Sequence, residues 1–210
     1  MSKKEIKAFA KELEIPHLVH FTHISNLESI IENGLLSREK VDGLDEDAVT
    51  NDEERHDGRE HTISLSIAHP NDLMFYKYRG KDEDWCVIGL KRKILWEQDC
   101  LFLKNNAADA RMSSKEDNEL STVAAFKSMY GEMDDLDSRE EQCLKPFDPT
   151  DRQAEVLVPE EIPVECIIGV YVSNRKIKKR YSELLADYQV KVHSPNKGVY
   201  ASRLYRRKWQ

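Results

Sequence analysis

A carboxylate at the mouth of a buried strand is the first feature of this 210-residue chain that could do chemistry. In Arg152-Gln153-Ala154-Glu155-Val156-Leu157-Val158, the apolar and largely β-branched run Val156 to Val158 reads as a buried strand that Pro159 stops. Glu155 stands at its leading end, where burial without a partner is costly. Facing a cleft, such a group can orient a ribose hydroxyl or take a proton; the plain alternative is a solvated strand-end glutamate. His20 and Thr22 occupy a second promising position, a strand-to-helix turn where short polar side chains can meet a ligand. Histidines at strand ends are more often satisfied by local hydrogen bonds. Arg55 lies inside an acidic run, and it reads either as a neutralising charge or as a phosphate clamp. Leu73-Met74-Phe75-Tyr76-Lys77-Tyr78 could wall a flat ring, although core packing is the commoner use of such side chains.

The elements that must hold these residues follow from periodicity. Ile6, Phe9, Ala10 and Leu13 recur at helical spacing over 3–14, ahead of Pro16. His17 to Thr22 reads as a strand. Ser25 with Glu28 forms a capping-box pattern for the next helix, which Gly34 ends. Residues 42–60 hold nine acids and little to bury, so a loop or a short exposed helix is expected. His61 to Ile67 alternates apolar and polar as a half-buried strand does. Trp85 to Leu90, Cys100 to Leu103 and Cys166 to Val172 read as further strands, with a turn at Asn105-Asn106-Ala107-Ala108. Leu120 to Met129 is helical in pattern, 131–151 is an acidic loop, Arg175 to Tyr188 a basic helix, Gln189 to His193 a strand, and Arg203 to Lys208 a basic end. Short strands outnumber helices, which points to an α+β domain.

Composition sets outer bounds. The length fits a single domain over 1–210, with a core large enough to stand alone. No apolar run approaches the roughly 20 residues of a membrane helix, and the start lacks the apolar centre of a signal peptide. Cys86, Cys100, Cys143 and Cys166 form no C-x-x-C pair, which argues against zinc and against a disulfide framework and suits a cytosolic chain. The net charge of −7 hides an asymmetry: residues 171–210 hold eleven Lys/Arg against two Asp/Glu, a surplus of +9 that leaves −16 for residues 1–170. A basic quarter on an acidic protein suits a polyanion, with Arg152, Lys178, Lys179, Arg180 and Arg206 as candidate contacts, or is simply a solvated face. No glycine-rich phosphate loop is present, so any nucleotide is held by scattered side chains.

Taken together, several segments resemble one family. They are His20-Phe21-Thr22-His23-Ile24 with Asn26, Leu27 and Ile30; Gly34-Leu35-Leu36-Ser37; Asn51 and Arg55; Ser66-Ile67 with Pro70-Asn71 and Met74-Phe75-Tyr76; Asn106-Ala107-Ala108; and Asp151 through Val158 with Ile162-Pro163. Their order is similar to that of DarT, the nucleic-acid ADP-ribosyltransferase toxins, over about residues 16–172. The resemblance implies an ADP-ribosyltransferase fold of split mixed and antiparallel sheets with flanking helices. It implies NAD as substrate, held by His20, Thr22, Asn26, Leu27, Arg55, Met74 and Tyr76, with Arg59 a weaker match. Glu155 would be catalytic with Arg55, and no metal is called for. The implied acceptor is a base in single-stranded nucleic acid, DNA favoured over RNA. The implied partner is an antitoxin, commonly a macrodomain hydrolase, with no membrane. Many relatives carry a histidine where this chain has Asn105 to Ala108, which leaves the target base open. Transfer to protein and a non-catalytic nucleic-acid-binding module are the rival expectations.

Overall fold

A computed structural model describes residues 3–43, 58–79 and 85–210. β1 (Leu18–His23) follows the Lys3–Glu12 helix and leads through a 3-10 turn, Ile24–Asn26, into the Leu27–Asn33 helix. The expected capping box does not form. His23 caps the turn instead, its Nδ1 accepting from the Ser25 N–H at 3.3 Å. The 3-10 turn draws the first helical bonds one step earlier than the Ser-x-x-Glu pattern assumes. Gly34 does end the helix, at φ 83°, where a side chain would strike the Ile162 carbonyl.

β2 (Leu35–Leu36) pairs much later with β7 (Glu161–Ile162) as a two-stranded ladder. Between them come β3 (Thr62–Ile67), the Asp72–Arg79 helix, β4 (Trp85–Leu90), β5 (Leu101–Leu103) and β6 (Glu155–Pro159). β8 (Ile167–Val172) and β9 (Gln189–Val192) close the large sheet, whose order is β5-β6-β3-β1-β4-β8-β9. Every pair in it is antiparallel except β8 with β9, which the Arg175–Arg180 helix joins as a crossover. That helix is shorter than its basic pattern suggests, and the 120–129 pattern resolves into an Asp117–Leu120 turn and a Val123–Ser128 helix.

The sheet is nearly split. β1 meets β3 at two register positions, Leu18 with Ile67 and Val19 with Ser66, while β1 pairs β4 along all six residues. Over Thr62 to Leu65, β3 ladders instead with β6.

One face carries the main core. Leu18, Ile63, Leu65, Ile67, Cys86, Ile88, Leu90, Val156 and Val158 pack there with Ile6, Leu27 and Phe126 from the helices. The other face carries two separate clusters. Leu101, Leu103 and Leu157 form one with Ala107, Met112 and Leu120, and Val19, Trp85 and Val87 form the other with Phe75, Val199 and Tyr200. Between those clusters β3 alternates Thr62, Ser64 and Ser66, so the sheet has a polar trough where an apolar residue would have joined them. Cys86, Cys100 and Cys166 are buried free thiols, and Cys143 is exposed.

Candidate functional site

The trough ends at Glu155. This residue opens β6 opposite Leu103 of β5, and one step beyond the last β3–β6 pair, Leu65 with Val156, Ser66 comes level with it. Glu155 is 6% exposed, so its charge must be met by the protein. The turn after β5 does this. Asn106 Nδ2 donates to Oε1 at 3.2 Å, and the Ala107 backbone N–H donates to Oε2 at 3.1 Å. The Asn106 Oδ1 is itself engaged, accepting from the Ala108 N–H at 3.0 Å. Next to it, buried Asn105 donates to Asp151 Oδ2 at 2.9 Å, and Asp151 Oδ1 accepts from the Gln153 N–H at 2.8 Å. The turn and the approach to Glu155 are thus fastened twice, which fixes the carboxylate's direction.

His20 spans the split. Its Nδ1 lies 2.9 Å from the Ser64 carbonyl, an oxygen that can only accept. Nδ1 therefore carries a proton and donates to it. Thr22 is buried and its Oγ1 accepts from Asn26 Nδ2 at 3.0 Å, so both predicted polar residues belong to one small network. Leu27 is fully buried in the main core. By strand alternation His20 shares the core face with Leu18, whereas Glu155 shares the trough face with Leu157. A molecule touching both must lie along the split between β1 and β3.

The Asp72–Arg79 helix flanks the trough. Ser66 Oγ accepts from the Asn71 N–H at 3.2 Å, and Asn71 Oδ1 accepts from the Met74 N–H at 3.2 Å. Asn71 Nδ2 is buried and has no hydrogen-bond partner among the described residues. Met74 is half-buried, and Tyr76 is 69% exposed. Arg152 Nη1 reaches Asp72 Oδ2 at 3.5 Å, tying the helix start to the segment before Glu155.

The remaining predicted residues are scattered. Arg55 lies outside the described residues. Arg59 is buried, donating to Asp117 Oδ1 at 2.8 Å and to the Lys115 carbonyl at 2.6 Å, which makes it a support for 115–117. Lys178, Lys179 and Arg180 are exposed on the crossover helix, with Lys178 Nζ 2.8 Å from the Val190 carbonyl. Arg206 is half-buried and donates to His69 Nδ1 at 3.2 Å. Sequence reasoning marked the Asn105–Ala108 turn but gave it no role in holding Glu155. It also missed Asp148 and Arg203, which anchor the 131–153 segment. Arg207 clamps Asp148 with two 2.6 Å bonds, and Arg203 donates to the Pro149 and Thr150 carbonyls. Among the described residues, no three His, Cys, Asp or Glu side chains group as metal ligands, and no helix is long and apolar enough to cross a membrane.

A family model described as ssDNA thymidine ADP-ribosyltransferase, DarT, matches residues 19–201. Among solved structures, Thermosipho africanus DarTG in complex with ADP-ribose is similar at a TM-score of 0.58 and 18% identity, over 90% of this chain and 51% of that one. This chain thus spans about half the length of that relative. Thermus sp. 2.9 DarT in complex with ADP-ribosylated ssDNA is similar at 0.57 and 15% identity, over 86% of this chain and 95% of that one. The same protein in complex with NAD+ gives 0.57 and 16%, over 86% and 96%. No curated protein matches. At these identities the structural likeness establishes the fold, a mixed seven-stranded sheet with a small second ladder.

Proposed function

We propose a function from one premise: this chain belongs to the DarT family of ssDNA thymidine ADP-ribosyltransferases. It transfers ADP-ribose from NAD to thymidine in single-stranded DNA and releases nicotinamide. The observation that carries this reading is Glu155, a buried carboxylate whose two oxygens are aimed by Asn106 and the Ala107 N–H. The residues present fit NAD. The trough floor is polar, His20 stands at the split, and the buried Asn71 amide nitrogen, next to Ser66 on the trough face, is a donor with no partner among the described residues.

Bound NAD supplies the activated ADP-ribosyl group and a nicotinamide leaving group. His20 and Thr22 hold its ribose-rich body at the split. As the nicotinamide bond breaks, positive charge builds on the ribose, as it does in glycoside cleavage. Glu155 hydrogen-bonds a ribose hydroxyl and steadies that charge. It then takes the proton from thymine's one ring N–H as the new bond forms, help typically worth about 10²–10⁴ in rate. Thymine reaches the trough only when unstacked, so a single strand is the cheaper substrate. One relative, solved both with ADP-ribosylated ssDNA and with NAD+, supports both halves of the reading. We place the protein in the cytoplasm as the toxin half of a pair, with an antitoxin of the macrodomain hydrolase class removing the mark.

The test is incubation with labelled NAD and separate pools of single-stranded DNA, duplex DNA, RNA and protein. Label on thymidine of the single strand, lost in Glu155→Gln, is the expected result. Label on RNA or protein alone would overturn the substrate, and intact NAD in every pool would overturn the activity.

A further inference from the structure

Away from the trough, the sheet holds a cavity of about 250 Å³ lined by Pro16, His17, Gly89, Gly169, Tyr171 and Lys191, among others. Its floor is bare backbone, because Gly89 and Gly169 face each other in the β4–β8 register. Gly169 must lack a side chain, since a Cβ there would overlap the Gln189 backbone. Gly89 is under no such demand: its Cβ would make ordinary contacts, 3.6 Å from the Gly169 carbonyl and 3.7 Å from the Tyr171 ring. Two flat rings, His17 and Tyr171, line the cavity 6.4 Å apart and tilted by 31°, and His193 backs the Tyr171 ring at 4.9 Å and 37°. Burial first, then the charges of Arg206 and Lys191, hold His17 at about 4 and His193 below its ordinary value, so both rings are neutral at physiological pH. Lys191 Nζ stands 5.9 Å from the Tyr171 centroid. Stackable rings beside one or two cations are what a single strand needs, since bases stack on aromatics while cations meet phosphates one at a time.

We propose that this cavity is a second nucleotide subsite, taking one base of the single-stranded DNA against Tyr171 with its phosphate at Lys191. The inference rests on the single-strand reading above and extends it to a place three strands from the trough, about 14 Å at ~4.8 Å per strand. An acceptor strand would then be gripped at two points, and the second grip sets affinity without entering the chemistry.

The experiment is an anisotropy titration of labelled oligothymidylate, about 12 nucleotides long, at several salt concentrations. It compares the wild type with Lys191→Ala and Tyr171→Leu. Each substitution is expected to weaken binding about tenfold, and Lys191→Ala to lower the salt slope by about 0.7. NAD binding is expected to be unchanged in both. Unchanged affinity and slope in Lys191→Ala, whose side chain is exposed, would overturn the subsite, as would a wild type that binds no oligonucleotide. Binding that depends on Lys191 without any transfer to the strand would uphold the subsite and overturn the proposed activity.

Discussion

At the scale of single residues, the candidate chemistry depends on how Glu155 is held. Hydrogen bonds to a charged group are worth about 1.5–3 kcal/mol, so Asn106→Ala is expected to slow transfer about 10- to 100-fold, with NAD affinity little changed. Single-turnover rates check this, and a wild-type rate would show that the turn only packs. The sequence marked Glu155 as a charge abutting an apolar β-branched run but left open a solvated strand end, and only the family resemblance raised it to a catalytic candidate; the fold adds that it is buried and held. The role of Asn106 was not legible, because its contact is made by β5 pairing with β6 across some fifty residues, and nothing local records that pairing. His20 was legible as a polar strand-end residue, while its bond to the Ser64 carbonyl, on another strand, was not. A pH dependence also belongs here. His17, His69 and His193 have pKa values lowered by burial, then by nearby cations. Unfolding frees them to take protons, so stability is full above about 6.5 and falls as pH drops towards 4, the value His17 reaches in the fold. Denaturant midpoints at pH 7, 6 and 5 should decline in that order, and a flat series would refute the assignment.

At the scale of elements, the long segment before β6 has no strand and only turns, yet it is anchored throughout. Arg139 donates to the Asp148 and Lys145 carbonyls and to Thr150 Oγ1, while Arg203 and Arg207 come in from the Arg203–Trp209 helix. The Arg207–Asp148 pair is buried, with side chains 8% and 0% exposed. Removing one partner of such a pair costs about 3–5 kcal/mol, and Arg207→Ala is expected to lose that much in chemical denaturation. A loss below about 1 kcal/mol would mean that the clamp contributes little. The strand pattern of the large sheet could be read from alternation and β-branching. The fate of the basic C-terminal end could not: its charges count the same whether they meet solvent phosphates or, as Arg203 and Arg207 do, the protein's own carbonyls and carboxylate. The 175–188 pattern overran its helix, which ends at Arg180, although Leu185 beyond it is still buried in the main core.

For the molecule as a whole, an acidic body carries a basic quarter, and part of that quarter is consumed internally. Binding of a strand should therefore depend on few cations. The KM for single-stranded DNA is expected to rise with salt while the KM for NAD moves little, and equal shifts in both would remove the electrostatic role assigned to the C-terminal region. The two-rung meeting of β1 and β3 has a further consequence, in the timescale of motion. The sheet amounts to two stiff plates, β5-β6-β3 and β1-β4-β8-β9, joined by a short hinge, and the plates should outlast the hinge when the protein breathes. In heavy water, the amides bridging Leu18–Val19 and Ser66–Ile67 should then trade their protons before those of the neighbouring ladders. A ligand laid along that line would act as a splint, and its arrival should be visible as a selective slowing of those few exchanges.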